Sequence, residues 1–255
     1  MRIRLEHVTH IYPGSDEAAP VQVLDDVSLE IPAGQFAILM GASGSGKSTL
    51  LNLIGAVDRP TRGRMFLGER ETSAMSDRDL TMLRRTSIGY VFQFFNLIPT
   101  LNVFENIAFP LRRHTKMTED EIRSRVEECL DQVHLPGVET KRVSELSGGQ
   151  RRRVGFARAI SLKPDILLFD ELTTGLDPVI SDVIADLIVE MDRTLNSTTV
   201  SITHDMKVAF KIADRVAMLH QGQIIEQGTP EEFQRSPNPM VQQFIEGRAE
   251  GPLTE

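Results

Sequence analysis

The chain has 255 residues, 40% apolar and 25% charged, and its 28 Lys and Arg against 36 Asp and Glu leave a formal charge of -8. That length suits one globular unit with an appended lobe, and the acidic balance excludes a protein whose whole surface grips nucleic acid. No apolar run reaches the roughly 20 residues of a membrane helix, and the amino terminus, Met-Arg-Ile-Arg-Leu-Glu, lacks a signal-peptide pattern.

In chain order, residues 2–7 and 27–31 read as short strands separated by a turn-rich stretch, 13–20, which together suggest an amino-terminal β-lobe. The apolar run 36–40 enters a glycine-rich loop and residues 48–54 continue as a helix, a strand-loop-helix order. Further strands are expected at 88–92, 166–169 and 199–203, several nearly all apolar, as in a parallel sheet covered on both faces. A hairpin is expected from 216–219 and 223–226 around Gln221-Gly222.

Residues 99–162 read as helical, with Thr118-x-x-Glu121 as a capping box opening a helix that carries Ile122, Val126, Cys129, Leu130 and Val133 on one face. The lone Cys129 has no partner for an internal disulfide and is expected as a core side chain. A second apolar stripe, Val179, Val183, Ile184, Leu187, Ile188, Met191 and Leu195, is expected to pack onto the core. Alternating strands and helices imply an α/β class: a phosphate-loop core with a mostly parallel sheet, an antiparallel β-lobe and a helical insertion over about 94–162.

Gly41-Ala-Ser-Gly-Ser-Gly46-Lys47-Ser48 satisfies the phosphate-loop pattern in its confirming context. Its N–H groups and the helix start can surround phosphates. Lys47 adds positive charge and the Ser48 hydroxyl can ligate Mg²⁺. Ile166-Leu-Leu-Phe-Asp170-Glu171 brings two carboxylates to the sheet edge where that loop lies, Asp170 placed for Mg²⁺ and Glu171 for the proton of an attacking water.

Leu146-Ser147-Gly148-Gly149-Gln150 resembles the signature of the ABC ATPases, and with it the chain resembles the ATP-binding subunits of ABC transporters over residues 1–247, leaving 248–255 as a tail. The resemblance implies a homodimer closing over two ATP and two Mg²⁺. Its nucleotide contacts would be Tyr12, Gly41, Ser43, Gly44, Ser45, Gly46, Lys47, Ser48 and Thr49, joined by Ser147, Gly148, Gly149, Gln150 and Asp177. Tyr12 resembles the residue stacking on adenine, Gln93 the glutamine touching Mg²⁺ beside Ser48 and Asp170, and His204 the histidine at the γ-phosphate. Catalysis would rest on Glu171, His204, Lys47 and Gln93. Gly175-Leu176-Asp177 resembles the loop linking the two subunits, and Leu172 stands where the family usually has Pro, which loosens a backbone restraint without removing a catalytic group.

The resemblance also implies transmembrane permease partners at the cytoplasmic face of the inner membrane, docking on the Phe-rich segment 94–111, and no nucleic acid. Residues 39–111 look like the lipoprotein-release and macrolide-efflux ATPases. Residues 109–115 and 238–252 resemble those of MCE-linked (Mla-type) phospholipid transport, whose partners include a periplasmic MCE-domain protein and a small STAS-type subunit. The tail, less constrained by the nucleotide site, tips the expectation to phospholipid cargo. A non-transport ABC ATPase, such as a cell-division regulator, is the other class.

Overall fold

A computed structural model of the protein describes residues 1–14, 19–93, 95–171 and 177–254. Strands β1 (Ile3–Tyr12), β2 (Val21–Ile31), β4 (Arg62–Leu67) and β5 (Arg70–Glu71) form an antiparallel sheet in the order β2-β1-β4-β5. The second sheet joins β3 (Phe36–Met40), β6 (Ile88–Val91), β7 (Ile166–Asp170), β8 (Thr198–Ile202), β9 (Arg215–His220) and β10 (Gln223–Gly228), in the order β10-β9-β3-β8-β7-β6. Its first five strands in chain order run parallel, and β10 closes one edge antiparallel.

The period of two along a strand divides the core. Phe36, Ile38 and Met40 of β3 enter one apolar cluster and Ala37 and Leu39 the other; in β7, Leu167 and Phe169 oppose Ile166 and Leu168 in the same way. One cluster lies under the β-lobe with α1 (Lys47–Ile54), the other under the helical lobe. That is why these strands read as unbroken apolar runs.

The β-lobe exceeds its expectation. β1 and β2 are longer than the runs 2–7 and 27–31, and β4, β5 and α2 (Asp77–Ser87) lie where no element is expected. β4 opens with Arg62, Gly63 and Arg64, all exposed, so its apolar alternation is short. α2 carried a usable signal in Ser76, whose Oγ accepts from the Asp79 N–H at 3.2 Å.

The helical lobe contains α3 (Val103–His114), α4 (Glu119–Gln132) and α5 (Gly148–Ile160). The Thr118 capping box forms, and Ile122, Val126, Cys129, Leu130 and Val133 are buried as the spacing requires. Arg125 of α4 is 5% exposed and donates to the carbonyls of Ile160 and Ser161 at 2.7 and 2.9 Å, satisfying acceptors at the end of α5. Burial pushes the Cys129 thiol up to about 12.

The remaining helices are α6 (Pro178–Leu195), α7 (Met206–Ile212), α8 (Pro230–Gln234) and α9 (Pro239–Glu246). α6 corrects in part the expectation that its apolar stripe packs inward. Ile184, Leu187, Ile188 and Met191 are buried, whereas Val179 and Val183 are 72% and 41% exposed. Roughly three helical turns separate Val179 from Met191, and burial is complete only toward the later ones. The turn between β9 and β10 has positive φ at both Gln221 and Gly222, +46° and +81°, the form that matches hairpin twist. The tail after α9 folds back: Gln243, buried, donates to the Arg248 carbonyl and accepts from the Leu253 N–H at 2.8 Å.

Candidate functional site

Four parallel strands deliver their carboxyl ends to one edge. The register sets Leu39 and Asp170 each opposite Ile202, and Val91 opposite Phe169. The residues that follow, the loop from Gly41, Gln93, Glu171 and His204, therefore gather there, the usual ligand position of such a sheet.

The loop from Gly41 to Lys47 needs glycine at both Gly41 and Gly46. Gly41 has φ +138° and an added Cβ would strike the Leu219 carbonyl oxygen; at Gly46, φ +105°, it would meet the Val23 carbonyl oxygen at 2.9 Å. The loop curls around its own lysine: Lys47 Nζ donates to the Gly41 and Ala42 carbonyls at 2.9 and 2.7 Å. Burial holds the Lys47 pKa below its ordinary value, opposed by the charges of Glu171 and Asp170. α1 begins at Lys47 with no side chain capping its first turn, a start suited to an anion. Ser43, Gly44 and Ser48 are exposed along this loop, while Ser45 and Thr49 are buried.

Asp170 ends β7, and burial, then the neighbouring Glu171 charge, raise its pKa while Lys47 opposes. Glu171 has φ +57°, a left-handed conformation costing a non-glycine residue about 1 kcal/mol or more. Two hydrogen bonds help hold it there. Gln93 Nε2 donates to Oε2 at 3.0 Å, and His204 Nε2 lies 3.1 Å from Oε1. A carboxylate only accepts, so that imidazole nitrogen carries the proton.

Among the described residues no group of three or more His, Cys, Asp and Glu could hold a metal alone. The oxygens at hand, the Ser48 hydroxyl, the Gln93 amide and the Asp170 carboxylate, fit a hard cation completed by phosphate and water, the habit of Mg²⁺.

Tyr12, at the end of β1, keeps 36% of its surface exposed, and its hydroxyl lies 3.3 Å from Thr49 Oγ1. The structure thus brings Tyr12 and Thr49 beside the loop, and Lys47, Gln93, Asp170, Glu171 and His204 around one point. His10 and Asp58, which also touch Tyr12, escaped the sequence reading; the period of two would have flagged His10.

Ser147 caps α5, and a reciprocal pair, Gln150 N–H to Ser147 Oγ at 3.2 Å and Ser147 N–H to Gln150 Oε1 at 3.0 Å, completes a capping box. Nothing stands within 4 Å of an added Cβ at Gly148, and Gly149 faces Ile180 Cγ2 at 3.8 Å. Asp177 Oδ1 accepts from the Val179 and Ile180 N–H groups at 3.0 Å each and so caps α6. Among the described residues no hydrogen bond joins Ser147 or Gln150 to the loop at 41–49. The signature and Asp177 form a second patch. Leu172, Gly175 and Leu176, singled out in the sequence, lie outside the described residues.

A parallel sheet with a phosphate loop at its carboxyl edge, two acidic groups beside the loop lysine and an inserted helical lobe define an ATP-binding cassette ATPase. The chain belongs to the ABC transporter family: residues 24–174 match the model described as ABC transporter. It is an ATPase that takes ATP with Mg²⁺. It is 42% identical over 226 residues to methionine import ATP-binding protein MetN 1 of Rhodopseudomonas palustris, covering 89% of this chain and 60% of the relative. To MetN of Geobacillus kaustophilus it is 42% identical over 254 residues, 99% of this chain and 73% of the relative. Thus the chain spans 60 to 73% of the length of these two relatives.

Among solved structures it is similar to the dimeric post-hydrolysis state of the ATP-binding cassette MJ0796 bound to ADP and Pi, with TM-score 0.81, 37% identity and coverage of 89% of this chain and 98% of that one. It is also similar to cbiO1 from Clostridium perfringens, part of the transporter complex cbiONQ, with TM-score 0.83, 29% identity and coverage of 97% and 95%.

These relatives bear out the family and the fold and correct the finer expectation. The two MetN relatives are named as methionine import ATP-binding proteins, and none of the four lends support to an Mla-type phospholipid ATPase or to MCE-domain and STAS-type partners. The two segments that suggested lipid cargo are short, whereas the relatives match along nearly the whole chain. No helix of the described residues is long and apolar enough to cross a membrane.

Proposed function

We propose that the chain is the ATP-hydrolysing subunit of a membrane transporter, working as a homodimer at the cytoplasmic face of the inner membrane and bound to transmembrane permease subunits. The observation that carries this reading is Glu171 held between Gln93 and His204 beside a buried Lys47.

In this reading Tyr12 stacks on adenine, and Lys47 with the N–H groups of Gly41, Ser43, Gly44, Ser45, Gly46 and Thr49 receives the phosphates. Ser48, Gln93 and Asp170 would hold Mg²⁺, which when bound would neutralise charge on the triphosphate. Glu171 takes the proton of the attacking water, and His204 steadies the γ-phosphate. Ser147, Gly148, Gly149 and Gln150 of one copy face the nucleotide held by the other, with Asp177 between the copies. Separation of the two patches within one chain supports that division, as do the exposed Val179 and Val183 beside Asp177.

A groove of about 500 Å³ between the β6 strand and α3, lined by Arg84, Tyr90, Phe92, Ile98 and Phe109, supports docking of a permease segment. Phe92 and Phe109 are 39% and 53% exposed there, anchors of the kind such contacts need. The cargo reading follows the relatives: methionine or a similar small amino acid, moved inward.

Steady-state ATPase assays on Glu171→Gln test the catalytic part; turnover near that of the unaltered chain would overturn it. Purification of the native membrane complex tests the rest. A permease that takes up methionine on ATP addition supports the cargo, whereas co-purifying phospholipid with an MCE-domain protein, or an ATPase found only in the soluble fraction, overturns it.

A further inference from the structure

Tyr12 ends β1, and two contacts among the described residues fix its ring. At one end the hydroxyl lies 3.3 Å from Thr49 Oγ1 and 3.5 Å from Asp58 Oδ2, which ties the ring to α1. At the ring itself His10 makes an edge-to-face contact, with centroids 4.6 Å apart and planes at 83°.

His10 is itself held firmly. It is 7% exposed, and its Nδ1 lies 2.9 Å from the Arg59 carbonyl oxygen. A carbonyl only accepts, so Nδ1 carries a proton. Arg59 is in turn fastened by its guanidinium to the Met75 carbonyl and to Asp77 at 2.7 and 2.8 Å. The second ring nitrogen, Nε2, is buried without a hydrogen-bond partner. An unpaired buried nitrogen is a cost that a simple space-filling residue would not carry. What the imidazole supplies is a flat ring set nearly perpendicular to Tyr12, which the Arg59 carbonyl keeps from turning.

We infer that His10 is a positioning residue for nucleotide binding: anchored to the Arg59 carbonyl, it holds the Tyr12 ring upright as the platform on which adenine stacks. This rests on the reading of Tyr12 given above. His10 touches no nucleotide; it shapes the affinity for the base through Tyr12. An edge-to-face aromatic pair of this geometry corresponds to a roughly 2- to 10-fold effect on an equilibrium constant.

The test is a double-mutant cycle in the full chain, with Glu171→Gln in every variant to prevent turnover, reading equilibrium affinity for ATP and, separately, for inorganic tripolyphosphate, which has no base. His10→Ala is expected to weaken ATP binding roughly 2- to 10-fold and to leave tripolyphosphate binding unchanged. His10→Phe, which keeps a ring but not the Arg59 bond, is expected to lie between His10→Ala and the parent. Tyr12→Ala is expected to weaken ATP binding at least as much, and His10→Ala added to it to cost nothing more.

Equal loss for ATP and tripolyphosphate in His10→Ala and His10→Phe would mean a general structural defect and overturn the inference. So would additive losses in the double variant, or no loss in His10→Ala. Should Tyr12→Ala bind ATP as the parent does, the platform reading itself fails, an outcome distinct from failure of His10 alone.

Discussion

Gln93 and Glu171, 78 residues apart in sequence, meet in a hydrogen bond of 3.0 Å from the amide Nε2 to the carboxylate Oε2. The bond ties the end of β6, where the chain departs into the helical lobe, to the carboxylate after β7. With His204 on the other oxygen, both carboxylate oxygens have partners before any water is engaged. Gln93→Ala and His204→Ala are each expected to lower kcat about 10- to 100-fold, through misplacement of Glu171 together with loss of their own contacts to Mg²⁺ and the γ-phosphate, with ATP affinity changed less. Single-turnover hydrolysis set against equilibrium ATP binding checks this, and equal losses in both quantities would count against it.

Gly41 and Gly148 make opposite predictions for the same substitution. At Gly41 a Cβ meets the Leu219 carbonyl in a left-handed conformation, so Gly41→Ala is expected to destabilise the fold by about 1–3 kcal/mol or more. At Gly148 the space is open, so Gly148→Ala is expected to change stability by no more than about 0.5 kcal/mol while lowering turnover in the dimer. Thermal melts of the two variants, side by side with ATPase assays, separate them.

The elements most legible in the sequence were those whose local pattern and tertiary surroundings agree. The run from Phe36 to Met40 is apolar on both faces because both faces are covered, and Thr118 with Glu121 forms the box that its spacing requires. α6 was misread in part because periodicity reports that Val179 and Val183 share a stripe with Ile184, but not how far along the helix that stripe is covered. The groups around Glu171 were legible as motifs. Their hydrogen bonds were not, since strand order, which no local pattern encodes, brings Gln93 and His204 to opposite oxygens of one carboxylate.

Asp192, on α6, has its pKa pushed up to about 6 by burial and by the nearby Asp214 charge, with a hydrogen bond from Thr199 opposing; its Oδ1 is buried and unpaired. The folded state therefore keeps a proton that the unfolded chain loses above its model value of 3.8. Stability contributed by that proton is full below about 4 and falls as pH rises toward about 6. Asp192→Asn is expected to raise the melting temperature at pH 7 and to match the parent near pH 4, with a gain of about 1 kcal/mol after allowance for solvent screening. Melting curves across that range check it, and a gain that grows toward low pH would contradict it.

Cys129 is buried, with its thiol pushed up to about 12. The native protein is expected to resist thiol alkylation at pH 8 and to react once unfolded in denaturant. Mass spectrometry after brief alkylation reads both states, and rapid native labelling would show that α4 opens more readily than its packing implies.

The Arg125 clamp gives the helical lobe a mechanical character. One end of α5 begins at Ser147, and its other end, about 20 Å away, is riveted to α4 by the two carbonyls that Arg125 grips. Sliding α5 past α4 would break both bonds. The two helices are therefore expected to move as a pair, so that a displacement at Ser147 would be carried into α4.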